Sequence, residues 1–108
     1  MKSLADRLAD ELAAMPEVTA GRSRFSPRRA FFVGSREFLH FHGEHEVDVR
    51  LTRKEIRARR PLLEADARVT LRNRHGSSDW MEIRFHRPRD LGAVVALARL
   101  AIEANRGS

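Results

Sequence analysis

Apolar residues recur at two different periods along this chain, and the alternation of the two predicts its elements. Leu4, Leu8, Leu12 and Met15 follow one another at helical spacing. Ser3 stands three residues before Asp6, the pattern of an N-cap with a carboxylate in the first turn. A helix is expected over about residues 3 to 14, ended by Pro16. The stretch 21 to 29, GRSRFSPRR, reads as a basic loop. The period then shortens to two. AFFV (30 to 33), FLHFH (38 to 42) and VDVRL (47 to 51) read as three antiparallel strands joined at GSRE and GEHE. Val47, Val49 and Leu51 share one face.

Thr52 and Glu55 form a capping box, so a second helix is expected from there to about Arg60, with Pro61 kinking or ending it and LLEAD able to add a further turn. RVTLRN (68 to 73) and WMEIRF (80 to 85) predict a second hairpin around RHGSSD, with Val69, Leu71, Met81, Ile83 and Phe85 inward. A last helix is expected from near Pro88, with Leu91, Val94, Val95, Ala98 and Ile102 as its apolar stripe. The order is α-βββ-α-ββ-α. Helices interleaved with hairpins predict an α+β fold, a two-layer sandwich on a mainly antiparallel sheet. The 108 residues predict a single domain, 1–108.

Composition narrows the chemistry. Without cysteine there is no disulfide, no thiolate nucleophile and no thiolate-bound zinc. No apolar run reaches the roughly 18 to 20 residues of a membrane span, and MKSLADRLADELAAM mixes charges with leucines unlike a signal peptide. A cytoplasmic location is expected, with no membrane partner. The net charge is +6, carried by 21 Lys and Arg against 15 Asp and Glu. That excess invites an acidic partner, although nearly all the cations are arginine, as a GC-rich genome would also produce.

The densest chemistry is HFHGEHE, residues 40 to 46, which holds three of the five histidines. His40 and His42 share a strand face, while Leu39 and Phe41 point the other way. Two such imidazoles reach one metal ion, and His45, Glu44 or Glu46 lie near enough to complete it. Yet H-x-H-x-x-H is a loose spacing and nothing downstream completes a metal motif. No metal site and no cofactor are assigned, and tight zinc binding is not expected. His40 is expected near Val49 or Arg50, and His42 opposite or diagonal to Val47 or Asp48. A register placing Asp48 or Arg50 beside the histidines would make a charged network. His40, His42, Asp48, Arg50 and Trp80 are therefore the candidate ligand-binding residues, for an unidentified small ligand or protein partner.

The basic stretches offer an alternative. Arg53, Arg57 and Arg60 form one helical stripe, and Arg22, Arg24, Arg28 and Arg29 crowd the preceding loop. Together they are the candidate nucleic-acid-binding residues, expected to bind weakly and with strong salt dependence. Arg68, Arg72 and Arg74 share an outward parity, and Trp80, Glu82 and Arg84 also point outward. A tryptophan among arginines suits base stacking. No G-x-S-x-G, glycine-rich phosphate loop or base-reading motif is present. A non-catalytic binding module at the His-rich sheet face is the leading reading. A basic DNA- or RNA-binding module comes second, and a metal-dependent enzyme at the histidines third.

The motifs REFLHFHG, DVRLTR and SDW, and the C-terminal amphipathic helix after them, resemble the small bacterial and fungal luciferase-domain proteins over about residues 16 to 105. The element order is also similar to that of the YjbR-like (MmcQ-like) double-wing proteins, which implies the same α+β architecture. The family-like positions are Arg36, Glu37, Phe38, His40, His42, Gly43, Asp48, Arg50, Leu51, Thr52, Ser78, Asp79 and Trp80. The resemblance implies architecture and positions of interest, and no particular reaction.

Overall fold

The computed structural model describes residues 1–25, 27–71 and 78–106. Helix α1 (Leu4–Ala13) is followed by strands β1 (Val18–Arg22), β2 (Arg29–Val33), β3 (Arg36–Phe41) and β4 (Glu46–Arg50). Then come α2 (Arg53–Ala65), β5 (Val69–Leu71), β6 (Trp80–Arg84) and α3 (Asp90–Asn105). The strands form one antiparallel sheet in the order β1-β2-β3-β4-β6-β5. The fold is α+β. Leu8 and Leu12 of α1, Ile56 and Leu63 of α2, and Leu91, Val94 and Ile102 of α3 join one apolar core with Leu39, Phe41, Val47, Val49, Met81 and Ile83 of the sheet. The helices thus cover one sheet face. The opposite face carries the polar residues described below.

Several expectations hold in detail. The Ser3 hydroxyl accepts the Asp6 backbone N–H at 3.1 Å, and α1 stops before Pro16. Gly34, at φ 61°, opens the two-residue loop between β2 and β3, as a type II′ hairpin turn requires. The inward residues of β4 and β6 are those the alternation picks out.

Four features differ. Val18–Arg22 is a strand, β1, where only the basic loop was expected. It pairs with β2 along its length, which its composition alone does not signal. Helix α2 runs through Pro61 to Ala65. Proline removes the bond to the Arg57 carbonyl, at an exposed residue where the loss is tolerable, while Leu63 beyond is buried in the core. Helix α3 begins at Asp90, two residues after Pro88. The Asp90 carboxylate folds back to accept the backbone N–H groups of His86 and Arg87, each at 3.0 Å. Finally, His40 pairs with Asp48 across the β3–β4 hairpin, with Leu39 opposite Val49. Arg72, Arg74, His75 and most of the turn before Trp80 lie outside the described residues.

Candidate functional site

One irregularity in the sheet builds the site. Phe31 of β2 pairs with Leu39 of β3, but the next residue, Phe32, pairs with Glu37. Strand β3 therefore carries one extra residue, Phe38, in a β-bulge. Strict alternation would put Glu37 on the core face with Leu39 and Phe41, and Phe38 opposite with His40. The bulge reverses both. Phe38 and Leu39 both enter the core, and Glu37 meets His40 on the other face.

The result is a buried chain of three charged groups. His40 Nδ1 lies 2.8 Å from Glu37 Oε2, and His40 Nε2 lies 2.9 Å from Asp48 Oδ2. Their side chains are only 9%, 3% and 4% exposed in the order His40, Glu37, Asp48. Both ring nitrogens sit beside carboxylates, a geometry that favours the doubly protonated imidazolium, which can donate to both. Burial works against that charge, but Asp48 and then Glu37 outweigh it and hold the imidazole above its ordinary value. Glu37 is further satisfied by the Ser23 hydroxyl at 2.7 Å and the Arg24 backbone N–H at 2.8 Å. Through Glu37 the strand grips the segment after β1 and folds it across the open face.

Above this chain lies a cleft of about 290 Å³, lined by Arg24, Phe25, Ser35, Arg36, Glu37, Arg50 and Trp80. Its aromatic wall is continuous with the buried histidine. Trp80 stands 4.9 Å from the His40 ring and meets Phe25 edge to face at 5.6 Å. Phe25 is 69% exposed, unusual for so large an apolar side chain. Among the described residues, the guanidinium groups of Arg24 and Arg36 pair with no acid, and Arg36 Nε is buried without a partner. Arg50 is held from two sides: it donates to Asp79 Oδ2 at 3.3 Å and to the Asn105 side-chain oxygen. Asn105, itself buried, returns a bond to the Arg50 carbonyl at 2.8 Å.

Asp79 ties the cleft edge to α2. Its carboxylate accepts the Arg53 backbone N–H at 2.8 Å and faces the Arg53 and Arg50 guanidiniums. Partial burial opposes its ionisation, but the Arg53 hydrogen bonds and the two cations hold it below the usual carboxylate range. Asp79 shares the capping of α2 with Thr52, whose hydroxyl accepts the Glu55 N–H at a long 3.4 Å. Thr52 also sits at φ 82°, a region costly for a β-branched residue.

The predicted residues therefore divide. His40, Asp48, Arg50 and Trp80 come together at the cleft or directly beneath it. His42 does not: it lies just past β3, exposed, with Nδ1 3.1 Å from Glu46 Oε2. His45 stacks on His86 at 5.0 Å, farther out on the same hairpin. His40, with both nitrogens engaged, has no lone pair to give a metal. Of the nucleic-acid candidates, Arg24 belongs to the cleft. Arg53 pairs with Asp79, Arg60 with Glu64 at 3.1 Å, and Arg29 with Asp6 at 3.1 Å. Arg22, Arg28 and Arg57 are exposed.

Sequence reasoning carried Arg36, Glu37 and Asp79 only as family-like positions of interest, without placing them in the site, and did not single out Phe25 or Asn105. For Glu37 a signal existed. A charge at the core parity of β3, followed by Phe38 at the outward parity, is a conflict that a bulge resolves. The others depend on which segments the fold brings together.

Among the described residues, no helix is long and apolar enough to cross a membrane. No curated protein and no solved structure matches the chain. One family does, over residues 35–101, a span that begins at the cleft and includes Glu37, His40, Asp48, Arg50, Asp79 and Trp80. By that match the chain belongs to the Luciferase domain family.

Proposed function

We propose that the cleft binds a small planar anion, and that the buried Glu37–His40–Asp48 chain holds its walls in place. The observation that carries this reading is the pair of guanidiniums, Arg24 and Arg36, that meet no acid among the described residues, together with the buried Arg36 Nε that has no partner there. A guanidinium is built for bidentate contact with carboxylate or phosphate, and a buried donor without an acceptor costs about 1–3 kcal/mol until one arrives. Phe25 and Trp80 add aromatic surface for a flat ligand. The volume of about 290 Å³ suits a single-ring molecule better than a large cofactor. His40 is a positioning residue in this reading: it touches Trp80 and Glu37, and through Glu37 the Arg24 backbone. The module binds, and no group here is assigned a catalytic step. Against the nucleic-acid alternative stand the ion pairs of Arg53 and Arg60, which leave Arg57, among the described residues, as the unpaired member of that stripe.

The test is titration with benzoate, phenyl phosphate and inorganic phosphate, followed by Trp80 fluorescence and calorimetry. Arg36→Ala is expected to weaken benzoate about tenfold to a hundredfold, the worth of a charge-assisted hydrogen bond of ~1.5–3 kcal/mol. Trp80→Ala should weaken the two aromatic anions more than inorganic phosphate. Equal affinity of wild type and Arg36→Ala for all three would overturn the reading. Tighter binding of single-stranded oligonucleotides than of any small anion would favour the nucleic-acid alternative.

A further inference from the structure

The outer end of the same sheet face carries a second group of ligating side chains. His42, just past β3, and Glu46 and Asp48, alternate residues of β4, each offer one ligand atom, and these atoms lie within 4.8 Å of one another. We infer that these three residues form a site for a divalent transition-metal ion, outside the anion cleft and linked to it only through Asp48, which His40 holds from behind.

Three features support the assignment. The first is distance. Two ligand atoms on one ion at about 2.0–2.2 Å each lie at most about 4.4 Å apart. The observed spacing, within 4.8 Å, is close to that limit, and His42 and Glu46 are already 3.1 Å apart. The second is donor chemistry. One imidazole nitrogen with two carboxylates suits Mn²⁺, Fe²⁺ or Zn²⁺ and leaves the charge of the ion balanced by the two acids. Imidazole disfavours Mg²⁺ and Ca²⁺, which prefer all-oxygen sites. The third is support from behind. Asp48 is held at Oδ2 by His40, which is held in turn by Glu37. A carboxylate fixed by a buried hydrogen-bonded chain is oriented before any ion arrives, the arrangement seen behind metal ligands generally.

The surroundings leave room for coordination to be completed. Beside the cluster is an open hollow of about 430 Å³ whose lining includes His42, His45, Glu46 and His86. Exposed His42 leaves part of the ion's shell to water or to an added ligand. Arg84 competes only weakly, with Nε 3.4 Å from Glu46 Oε1, and the opposite oxygen of Glu46 faces His42. The sequence reading expected no tight metal site because H-x-H-x-x-H is a loose spacing, and its candidate set began from His40 and His42, with His45, Glu44 or Glu46 to complete it. The structure removes His40 from the donor set and supplies Glu46 and Asp48 from the neighbouring strand.

The experiment titrates Mn²⁺ into chelator-treated protein, read by calorimetry and by paramagnetic broadening of the histidine ring resonances in NMR. One saturable site is expected, with His42 broadened first. His42→Ala and Glu46→Gln, both at accessible positions, should each weaken Mn²⁺ by about tenfold or more while the far-UV spectrum stays unchanged. His45→Ala combined with His86→Ala should leave affinity within about threefold. No saturable Mn²⁺ binding would overturn the inference. So would binding untouched by His42→Ala, or lost with His45 and His86 instead. Binding of Mn²⁺ with no response to benzoate would uphold this site and sink the anion cleft; the reverse result would do the opposite.

Discussion

Two halves of one sheet face hold the same kinds of residue and do opposite things with them. At the inner half, Glu37, His40 and Asp48 are almost fully buried and every imidazole nitrogen is committed. At the hairpin tip, His42 has a side chain 57% exposed and, among the described residues, a single ion-pair partner. The two histidines are two positions apart. The difference comes from what lies over them. The segment after β1, drawn down by Glu37, and Trp80 cover His40; nothing comparable covers His42. A buried ionic chain is rigid because removing any member leaves a charge without compensation. An exposed pair is cheap to break and therefore free to exchange partners. The inner half is suited to holding a cleft, and the tip is suited to taking an ion.

The largest predicted effect tests that contrast directly. His40→Ala leaves two buried carboxylates facing one another and is expected to cost about 3–5 kcal/mol. His42→Ala should stay within about 0.5 kcal/mol. Urea unfolding of both variants without metal makes the comparison. Equal losses would mean that the inner chain is no more committed than the tip.

Next comes the cleft edge. Asp79→Ala strips the Arg53 backbone N–H of its acceptor and frees two guanidiniums, and is expected to cost about 1–3 kcal/mol. The same unfolding assay reads it, and a loss below about 0.5 kcal/mol would show that Thr52 caps α2 alone.

Part of the pH dependence should follow from the two shifted groups beside the cleft, His40 and Asp79. His40 is raised above its ordinary value of about 6.5. Its contribution is therefore complete below about pH 6.5 and is lost as pH rises through the folded value, at no more than about 1.4 kcal/mol per pH unit. Asp79 is lowered, so its contribution is complete above about pH 3.9 and is lost as pH falls through the folded value. Denaturation midpoints with a chelator present, from pH 3 to 9, should decline on the alkaline side in wild type. The Asp79→Ala variant should keep that alkaline decline and lose part of the acid one. A flat profile from pH 6.5 to 9 would argue against the imidazolium.

The smallest effect concerns Thr52. Thr52→Ala loses a long hydrogen bond and keeps the φ of 82°, for a cost of about 1 kcal/mol or less. Thr52→Gly loses the same bond and relieves the backbone, so it should destabilise less than alanine does. Alanine proving the more stable of the two would mean that the strain is not there.

Much of the fold was legible in the chain. Alternation in VDVRL and WMEIRF put Val47, Val49, Met81 and Ile83 in the core, because a half-buried strand needs one apolar face. The spacing of Leu8 and Leu12, and of Leu91, Val94 and Ile102, placed two helices for the same reason at a different period. The parity of His40, Asp48 and Trp80 set them on a common face, and the sequence went no further than that face. Strand β1 escaped, since VTAGR is mostly exposed and owes its conformation to pairing with β2. The site escaped in larger part. Whether Glu37 meets His40 depends on a bulge one residue wide, and whether Asp48 stands opposite His40 depends on hairpin register. Phe25, Arg36 and Asn105 join only because distant segments converge there. Periodicity records which side of an element is buried, and the tertiary structure alone decides what is buried against it.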